Sequence, residues 1–126
     1  MNIDKILVPT DFSPASRAAL SYAADLAERA GHQIILLHVS DDGSSAVEHE
    51  LEELCDEFER AGVAIDGEAR KGAPPDEIVR FARDEGCALI VMGASQGLGP
   101  ITEQVVRDAT VPVLTLRETA APGPAA

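Results

Sequence analysis

Two segments of this sequence place ligand-binding residue types directly after apolar runs. The carboxylate of Asp11 follows Pro9 at the end of one run, and a glycine-rich loop with Gly93, Gly97 and Gly99 follows another. Backbone N–H groups of such a loop, placed before a helix, can hold an anion. In an open parallel sheet, ligands bind beyond the carboxyl ends of the strands where the strand order reverses. We therefore expect both segments to border one small-molecule site.

Other reactive groups do not form a catalytic arrangement. His38 stands alone in an apolar run, which is typical of a structural histidine, and His32 and His49 are expected at the surface. The carboxylates from Glu48 to Glu59 are typical of a solvated helix face. Because no nucleophile can be paired with a base, we assign no catalytic residue and expect no enzyme.

Composition and charge exclude several classes of protein. The chain has 126 residues, 45% of them hydrophobic, which suits one core. A net charge of -12 repels the phosphate backbone of nucleic acids. No apolar run reaches membrane length, and Pro9 follows too soon for a signal peptide, so we expect a cytoplasmic protein. Cys55 and Cys87 lack the spacing of zinc or redox motifs, so we expect buried or half-buried thiols and no metal site.

Hydrophobic patterning predicts an α/β fold. Ser13 and Pro14 are typical of a helix start, and Gly31 of a helix end. Strands that alternate with four crossover helices predict an open, doubly wound, five-stranded parallel sheet. Residues 1–117 are expected to form a single domain and residues 118–126 a disordered tail. The predicted strands are 3–8, 33–39, 63–70, 88–92 and 111–116, and the predicted helices are 14–30, 44–61, 74–86 and 100–109.

The chain resembles the universal stress protein family in four segments that follow one another with the family's spacing. These segments are ILVPTDFSPASRAAL, IILLHVSD, GAPPDEIVRFARDEGCALIVMGAS and VVRDATVPVLTL. The resemblance covers nearly all of residues 3–116. It implies five parallel strands in the order 3-2-1-4-5, usual homodimerisation and, in one branch of the family, a nucleotide pocket.

The resemblance also implies where a nucleotide would lie. In the nucleotide-binding branch, an aspartate like Asp11 lies near the ribose or base, the strand end around Val39 lies beside the adenine, and Met92 and Gly93 form the floor. ATP or AMP are therefore possible ligands, although we expect no bound cofactor. The nucleotide-binding candidates are Pro9, Thr10, Asp11, Val39, Met92, Gly93, Gly97, Gly99 and Ile101.

The loop after Gly93 departs from the family's phosphate-binding pattern, which has the form Gly-x2-Gly-x9-Gly-Ser/Thr. Gln96 occupies the second glycine position, Gly97 comes one residue later, and a single residue separates it from Gly99. Pro100 stands in place of the Ser or Thr and supplies neither a hydroxyl nor a backbone N–H. The long intervening segment of the pattern is missing, so phosphate donors are lost.

Charge around this loop also disfavours a triphosphate. No Lys or Arg lies between Gly93 and Gln104, and Glu103 competes for the positive end of the last helix. Simpler interpretations of the candidates stay open: the glycines turn the chain from strand to helix, and Asp11 forms an Asx turn or helps to start the helix at Ser13.

The last predicted strand is apolar, carries Pro112 near its start and would lie at an edge of the sheet. Such an edge can pair with a second copy of the chain, unless the tail or a side chain of the last helix covers it. The family's dimerisation through this strand favours a homodimer. The interface candidates are Val111, Val113, Leu114 and Leu116.

Three functional hypotheses follow. The first is a non-enzymatic, dimeric, cytoplasmic stress-response or regulatory protein that is not an efficient ATP binder and acts on a protein partner. The second is an adenine-nucleotide sensor in which Asp11, Val39 and Met92 hold base and ribose, and Gly97 to Ile101 accept at most a monophosphate. The third is a slow ATP hydrolase that uses Asp11 or Glu103.

Overall fold

The computed structural model describes residues 4–42, 46–94 and 99–117. Strands and helices alternate along these residues, as the hydrophobic pattern predicts. The elements are β1 (Lys5–Pro9), α1 (Pro14–Ala30), β2 (Gln33–Ser40), α2 (Ala46–Arg60), β3 (Ile65–Lys71), α3 (Pro74–Asp84), β4 (Leu89–Ala94), α4 (Pro100–Asp108) and β5 (Val113–Arg117).

The strands form one parallel sheet in the order β3-β2-β1-β4-β5, which confirms the predicted α/β topology. The chain builds the sheet outward from β1 to β3, then returns to place β4 on the other side of β1. The strand order therefore reverses between β1 and β4. This is the position at which an open parallel sheet leaves a crevice beyond its carboxyl edge.

Two apolar layers cover the sheet. The layer with α1 and α2 contains fully buried side chains such as Val8 and Leu20, and the layer with α3 and α4 contains Leu7 and Val105. Successive residues of β1 thus point into opposite layers, as the alternation of a strand requires. Because helices cover both faces, the central strands are apolar throughout. Among the described residues, no helix is long and apolar enough to cross a membrane.

The ends of α1 form as predicted. The Ser13 hydroxyl accepts a hydrogen bond from the backbone N–H of Ser16 at 3.2 Å, and Pro14 occupies the first helical turn. Gly31 ends the helix with φ 72°, a left-handed conformation that glycine adopts without steric cost. This defined start fixes the direction in which α1 leaves the carboxyl end of β1.

Several predicted boundaries differ from the structure by one or two residues, and three of them in the strands have a clear physical reason. β3 begins at Ile65 rather than Val63, because the Val63 N–H donates to Phe58 O at the end of α2. β4 continues past Met92 to Ala94, because its pairing with β5 continues. β5 begins at Val113 rather than at residue 111, and Pro112 before it has no N–H to donate.

The first turn of α1 lies directly against β4 at Gly93. A Cβ atom added to Gly93 would stand 2.3 Å from Ala15 O and 2.8 Å from Ser16 N. Real Cβ atoms do not approach backbone atoms this closely, so only glycine permits this packing of helix on strand. The residue that resembles a phosphate-loop glycine thus has a structural role here.

We expect Gly93→Ala to destabilise the fold by about 1–3 kcal/mol, because the added methyl group forces α1 away from β4. Urea denaturation of the variant measures this loss of unfolding free energy. Gly99→Ser is the matched control, since a Cβ at Gly99 meets nothing within 4 Å and serine is a good helix N-cap. An equal loss in both variants would contradict the close-packing argument.

Candidate functional site

A cavity of about 280 Å³ opens at the carboxyl edge of the sheet, where the strand order reverses. Its volume is near the lower end of the range for small-molecule pockets. The ends of β1, β2 and β4 and the starts of α1, α3 and α4 surround it. Its lining consists of Pro9, Thr10, Asp11, Ser13, Ala15, Ser16, Leu37, Val39, Pro74, Ile78, Met92, Gly93, Ala94, Gly99, Pro100, Ile101 and Thr102.

The structure brings the candidates from both segments of the sequence together. Candidates from three strand ends and from the start of α4 all line the cavity, and Gly97 lies outside the described residues. The members that line it are Pro9, Thr10, Asp11, Val39, Met92, Gly93, Gly99 and Ile101.

Asp11 forms the Asx turn that the sequence left as an alternative. Its carboxylate oxygen Oδ1 accepts a hydrogen bond from the Ser13 N–H at 3.0 Å. Partial burial raises the pKa of the Asp11 carboxyl, but hydrogen bonds with Ser13 and Ser16 outweigh this effect, so the pKa is lowered below 3.8. Asp11 is therefore a carboxylate at neutral pH, and it remains exposed to the cavity mouth.

Hydroxyl groups behind Asp11 hold the loop between β1 and α1. The buried hydroxyls of Thr10 and Ser16 lie 3.1 Å apart, and Thr10 Oγ1 also accepts from the Phe12 N–H at 3.0 Å. These bonds hold Phe12 at φ 64°, a left-handed conformation that is unusual for an aromatic residue. His38 Nδ1 lies 2.8 Å from Thr10 O and donates to it, since a carbonyl oxygen only accepts. The prediction that His38 is structural fits this contact.

Three helices begin at the cavity, and each begins with a proline. Pro14 opens α1, Pro74 and Pro75 open α3, and Pro100 opens α4. A proline suits the first helical turn but removes a backbone N–H that would otherwise face the cavity. Helix starts that usually offer several free donors to an anion therefore offer fewer here.

The start of α4 contains the least satisfied polar group of the lining. Gly99 occupies the N-cap position without a side-chain cap, and Glu103 N–H is the first to bond within the helix, to Gly99 O at 2.9 Å. Thr102 is 6% exposed and lines the cavity, and its hydroxyl makes no hydrogen bond to another described residue. A bound ligand can therefore use this hydroxyl.

Sequence reasoning missed part of the lining. Ser16 and Thr102 lie within helices in the sequence, and only the convergence of α1 and α4 on one edge brings them to the cavity. Ile78 reaches it in the same way from α3. The helical periodicity of these residues indicates a buried face, but it does not indicate which end of the sheet that face meets.

The two cysteines lie away from the cavity. Cys87 is buried and Cys55 half-buried, and both are free thiols, as predicted. Burial and the neighbouring carboxylates, Glu59 first among them, raise the pKa of Cys55 to about 11. Among the described residues, no group of histidine, cysteine, aspartate and glutamate side chains could hold a metal ion.

The fold and the cavity together define an open, doubly wound α/β domain with a cavity at its switch point. Residues 2–117 match the model of the Universal stress protein family. The chain therefore belongs to the universal stress protein family.

Universal stress protein MJ0577 of Methanocaldococcus jannaschii is a similar curated protein. It is 28% identical over 153 aligned residues, which cover 90% of this chain and 94% of the relative. Because the alignment is longer than this chain of 126 residues, the relative carries segments that have no counterpart here. The solved structure of MJ0577 has a TM-score of 0.82 at 27% identity and covers 96% of this chain and 100% of that one.

Two other solved structures of the family share the fold. A universal stress protein from Archaeoglobus fulgidus in complex with dAMP has a TM-score of 0.76 at 19% identity, covering 90% of this chain and 97% of that one. A universal stress protein in complex with cAMP has a TM-score of 0.74 at 24% identity, and the alignment covers 93% of this chain and 98% of that one. At these identities, the likeness establishes the common fold.

We expect Asp11→Asn to lower stability at neutral pH, because asparagine keeps an oxygen acceptor but loses the charge that the Ser13 and Ser16 groups favour. The folded-state pKa lies below 3.8, so this contribution is present above pH 3.8 and disappears as the pH falls through the folded pKa. The difference in urea midpoint between Asp11→Asn and the unaltered chain should therefore disappear at acid pH.

Asp25→Asn is the matched control, since it changes the net charge equally at an exposed position on α1. Asp11→Asn should have a lower urea midpoint than Asp25→Asn at neutral pH, and the two midpoints should become equal at acid pH. A constant difference between them at all pH values would show that the Asp11 charge does not stabilise the start of α1.

Proposed function

We propose that this chain is a non-enzymatic stress-response regulator that senses an adenine compound carrying at most one phosphate. The observation that carries this proposal is the cavity at the switch point, where the candidates from both segments of the sequence meet. We further propose that it acts in the cytoplasm as a homodimer. The two free thiols agree with a reducing compartment.

The cavity suits an adenine base and a ribose. Val39, Ile78 and Met92 supply apolar surface for a flat ring, and the Asp11 carboxylate at the mouth can accept hydrogen bonds from ribose hydroxyls. The sequence resemblance supports the same arrangement. In the related proteins with dAMP and cAMP, the ligand is likewise an adenine compound with one phosphate.

A triphosphate does not fit this cavity. Gly93 is required for helix packing, and Pro100 has no N–H where the family's loop has a hydroxyl residue. No Lys, Arg or His is found among the described lining residues, and the single lining carboxylate cannot build an Mg²⁺ site alone.

Among the described lining residues, no group is arranged to activate water for hydrolysis. Its hydroxyl groups on Thr10, Ser13 and Ser16 already bond to one another or to the backbone. Asp11 has a lowered pKa and is therefore a weak base. His38 Nδ1 already donates a hydrogen bond to Thr10 O. These contacts support a binding role rather than a catalytic one.

Thermal melting of the purified protein tests the proposal. Millimolar adenosine or AMP should raise the midpoint, because a ligand that binds only the folded state stabilises it, and Mg²⁺ with ATP should raise it less. Asp11→Asn should weaken the binding of adenosine about tenfold, through loss of a charge-assisted hydrogen bond. Asp25→Asn should bind like the unaltered chain. No shift with any adenine compound would overturn the proposed function. A larger shift with ATP than with AMP would overturn the proposal that the ligand carries at most one phosphate.

A homodimer through β5 is supported by the character of that edge. β5 pairs with β4 on one side, and Val113, Leu114 and Leu116 stay half-buried against the core. Val111 lies before the strand and packs against the α3 and α4 layer, so it is a weaker interface candidate. Since Pro112 O accepts from Ile90 N at 2.9 Å, strand alternation directs the Thr115 N–H to the open side.

We expect sedimentation equilibrium to give twice the chain mass, and Thr115→Pro to give the monomer, because the variant loses an N–H on the open side of β5. Ala69→Pro is the matched control, since the register with β2 turns the Ala69 N–H to the open side of β3. That variant should remain dimeric. A monomeric unaltered chain, or equal behaviour of the two variants, would contradict dimerisation through β5.

A further inference from the structure

The described lining of the cavity carries one charge, and that charge is negative. Asp11 is its only ionisable carboxylate, and no Lys, Arg or His accompanies it. The sequence between Gly93 and Gln104 also contains no basic residue. A ligand phosphate would therefore have no cationic partner at the wall of the cavity and would stand near the charge of Asp11.

The helix starts do not compensate for this missing cation. The N-terminus of a helix acts as roughly half a positive charge, but carboxylates already lie at these starts. Asp11 stands two residues before the α1 cap, Asp76 and Glu77 lie in the first turn of α3, and Glu103 lies in that of α4. Gln104 Nε2 also donates to Asp76 Oδ1 at 3.1 Å, which links the starts of α3 and α4. Carboxylates thus offset the positive ends of all three helices, although Glu77 is itself paired with Arg80 at 2.7 Å.

The polar groups that remain suit a neutral ligand. The exposed Asp11 carboxylate accepts hydrogen bonds from hydroxyl groups, and the Thr102 hydroxyl can donate to a ring nitrogen or accept from a hydroxyl. Neither interaction requires a charge on the ligand. The apolar wall adds surface for a base.

We infer that the cavity selects an uncharged adenine nucleoside over the corresponding nucleotides. This inference rests on the proposed function and narrows it, since that function admits a monophosphate. The carboxylates in the first turns of these helices oppose the positive helix ends that would otherwise attract phosphate oxygens, so each phosphate added to the ligand weakens binding.

Isothermal titration with adenosine, AMP and ATP measures this selectivity. Adenosine should bind about tenfold more tightly than AMP at low salt, because the AMP phosphate is repelled by nearby carboxylates. ATP should bind more weakly than AMP. The difference between adenosine and AMP should shrink at high salt, since exposed charges are screened.

A pair of lysine substitutions on α4 provides the matched test. Ile101 lines the cavity and is 43% exposed, whereas Val106 is 45% exposed and does not line it. Ile101→Lys should raise the affinity for AMP relative to that for adenosine about tenfold, because it supplies the missing cation. Val106→Lys adds the same charge to the same helix and should leave both affinities unchanged.

The possible outcomes distinguish a failure of this inference from a failure of the proposed function on which it rests. If AMP or ATP binds the unaltered chain as tightly as adenosine or more tightly, the selectivity is wrong while the adenine site stands. If Ile101→Lys leaves the ratio of the AMP and adenosine affinities unchanged, the missing cation is not the cause of the selectivity and the inference also fails. If no adenine compound binds, the proposed function fails together with the inference.

Discussion

The contact between Gly93 and the first turn of α1 is the constraint on which the geometry of the cavity depends. It brings the carboxyl end of β4 against the backbone of Ala15 and Ser16, where a Cβ atom would have no room. The α1 start is in turn tied to β1 through the Thr10 and Ser16 hydroxyls. Together these contacts fix the β1 end, the β4 end and the α1 start in one rigid unit. The remaining walls, from α3 and α4, then enclose a volume of about 280 Å³.

Electrostatics determines what this volume can hold. A helix start favours an anion by only about 0.3–1 kcal/mol at an exposed position, so one nearby carboxylate is enough to cancel the preference. In this chain the first turns of α3 and α4 supply such carboxylates, and prolines reduce the number of free N–H donors. Under the proposed function, the chain keeps the fold of its family, while groups that would hold phosphate give way to groups that repel it.

The fold could be predicted from the sequence, because strands and helices alternate and their ends carry clear signals such as Ser13 with Pro14. The position of Asp11 beside the cavity could be predicted for the same reason, since it follows β1 directly. The roles of Thr102 and Gly93 could not be predicted in full. The role of Thr102 depends on the convergence of α4 with two strand ends. The role of Gly93 depends on a contact between residues far apart in the chain. Single-sequence periodicity describes the faces of an element but not its neighbours.

The two edges of the sheet differ in a way that limits how copies of the chain can assemble. β3 carries charged side chains along its length, at Asp66, Glu68, Arg70 and Lys71, and charge on an edge strand discourages pairing. β5 presents apolar, half-buried residues instead. The proposed pairing through β5 would therefore give a closed dimer rather than an open chain of subunits, because the charged β3 edge disfavours a second pairing. The charge on β3 therefore complements the apolar character of β5, since it leaves a single surface for edge pairing.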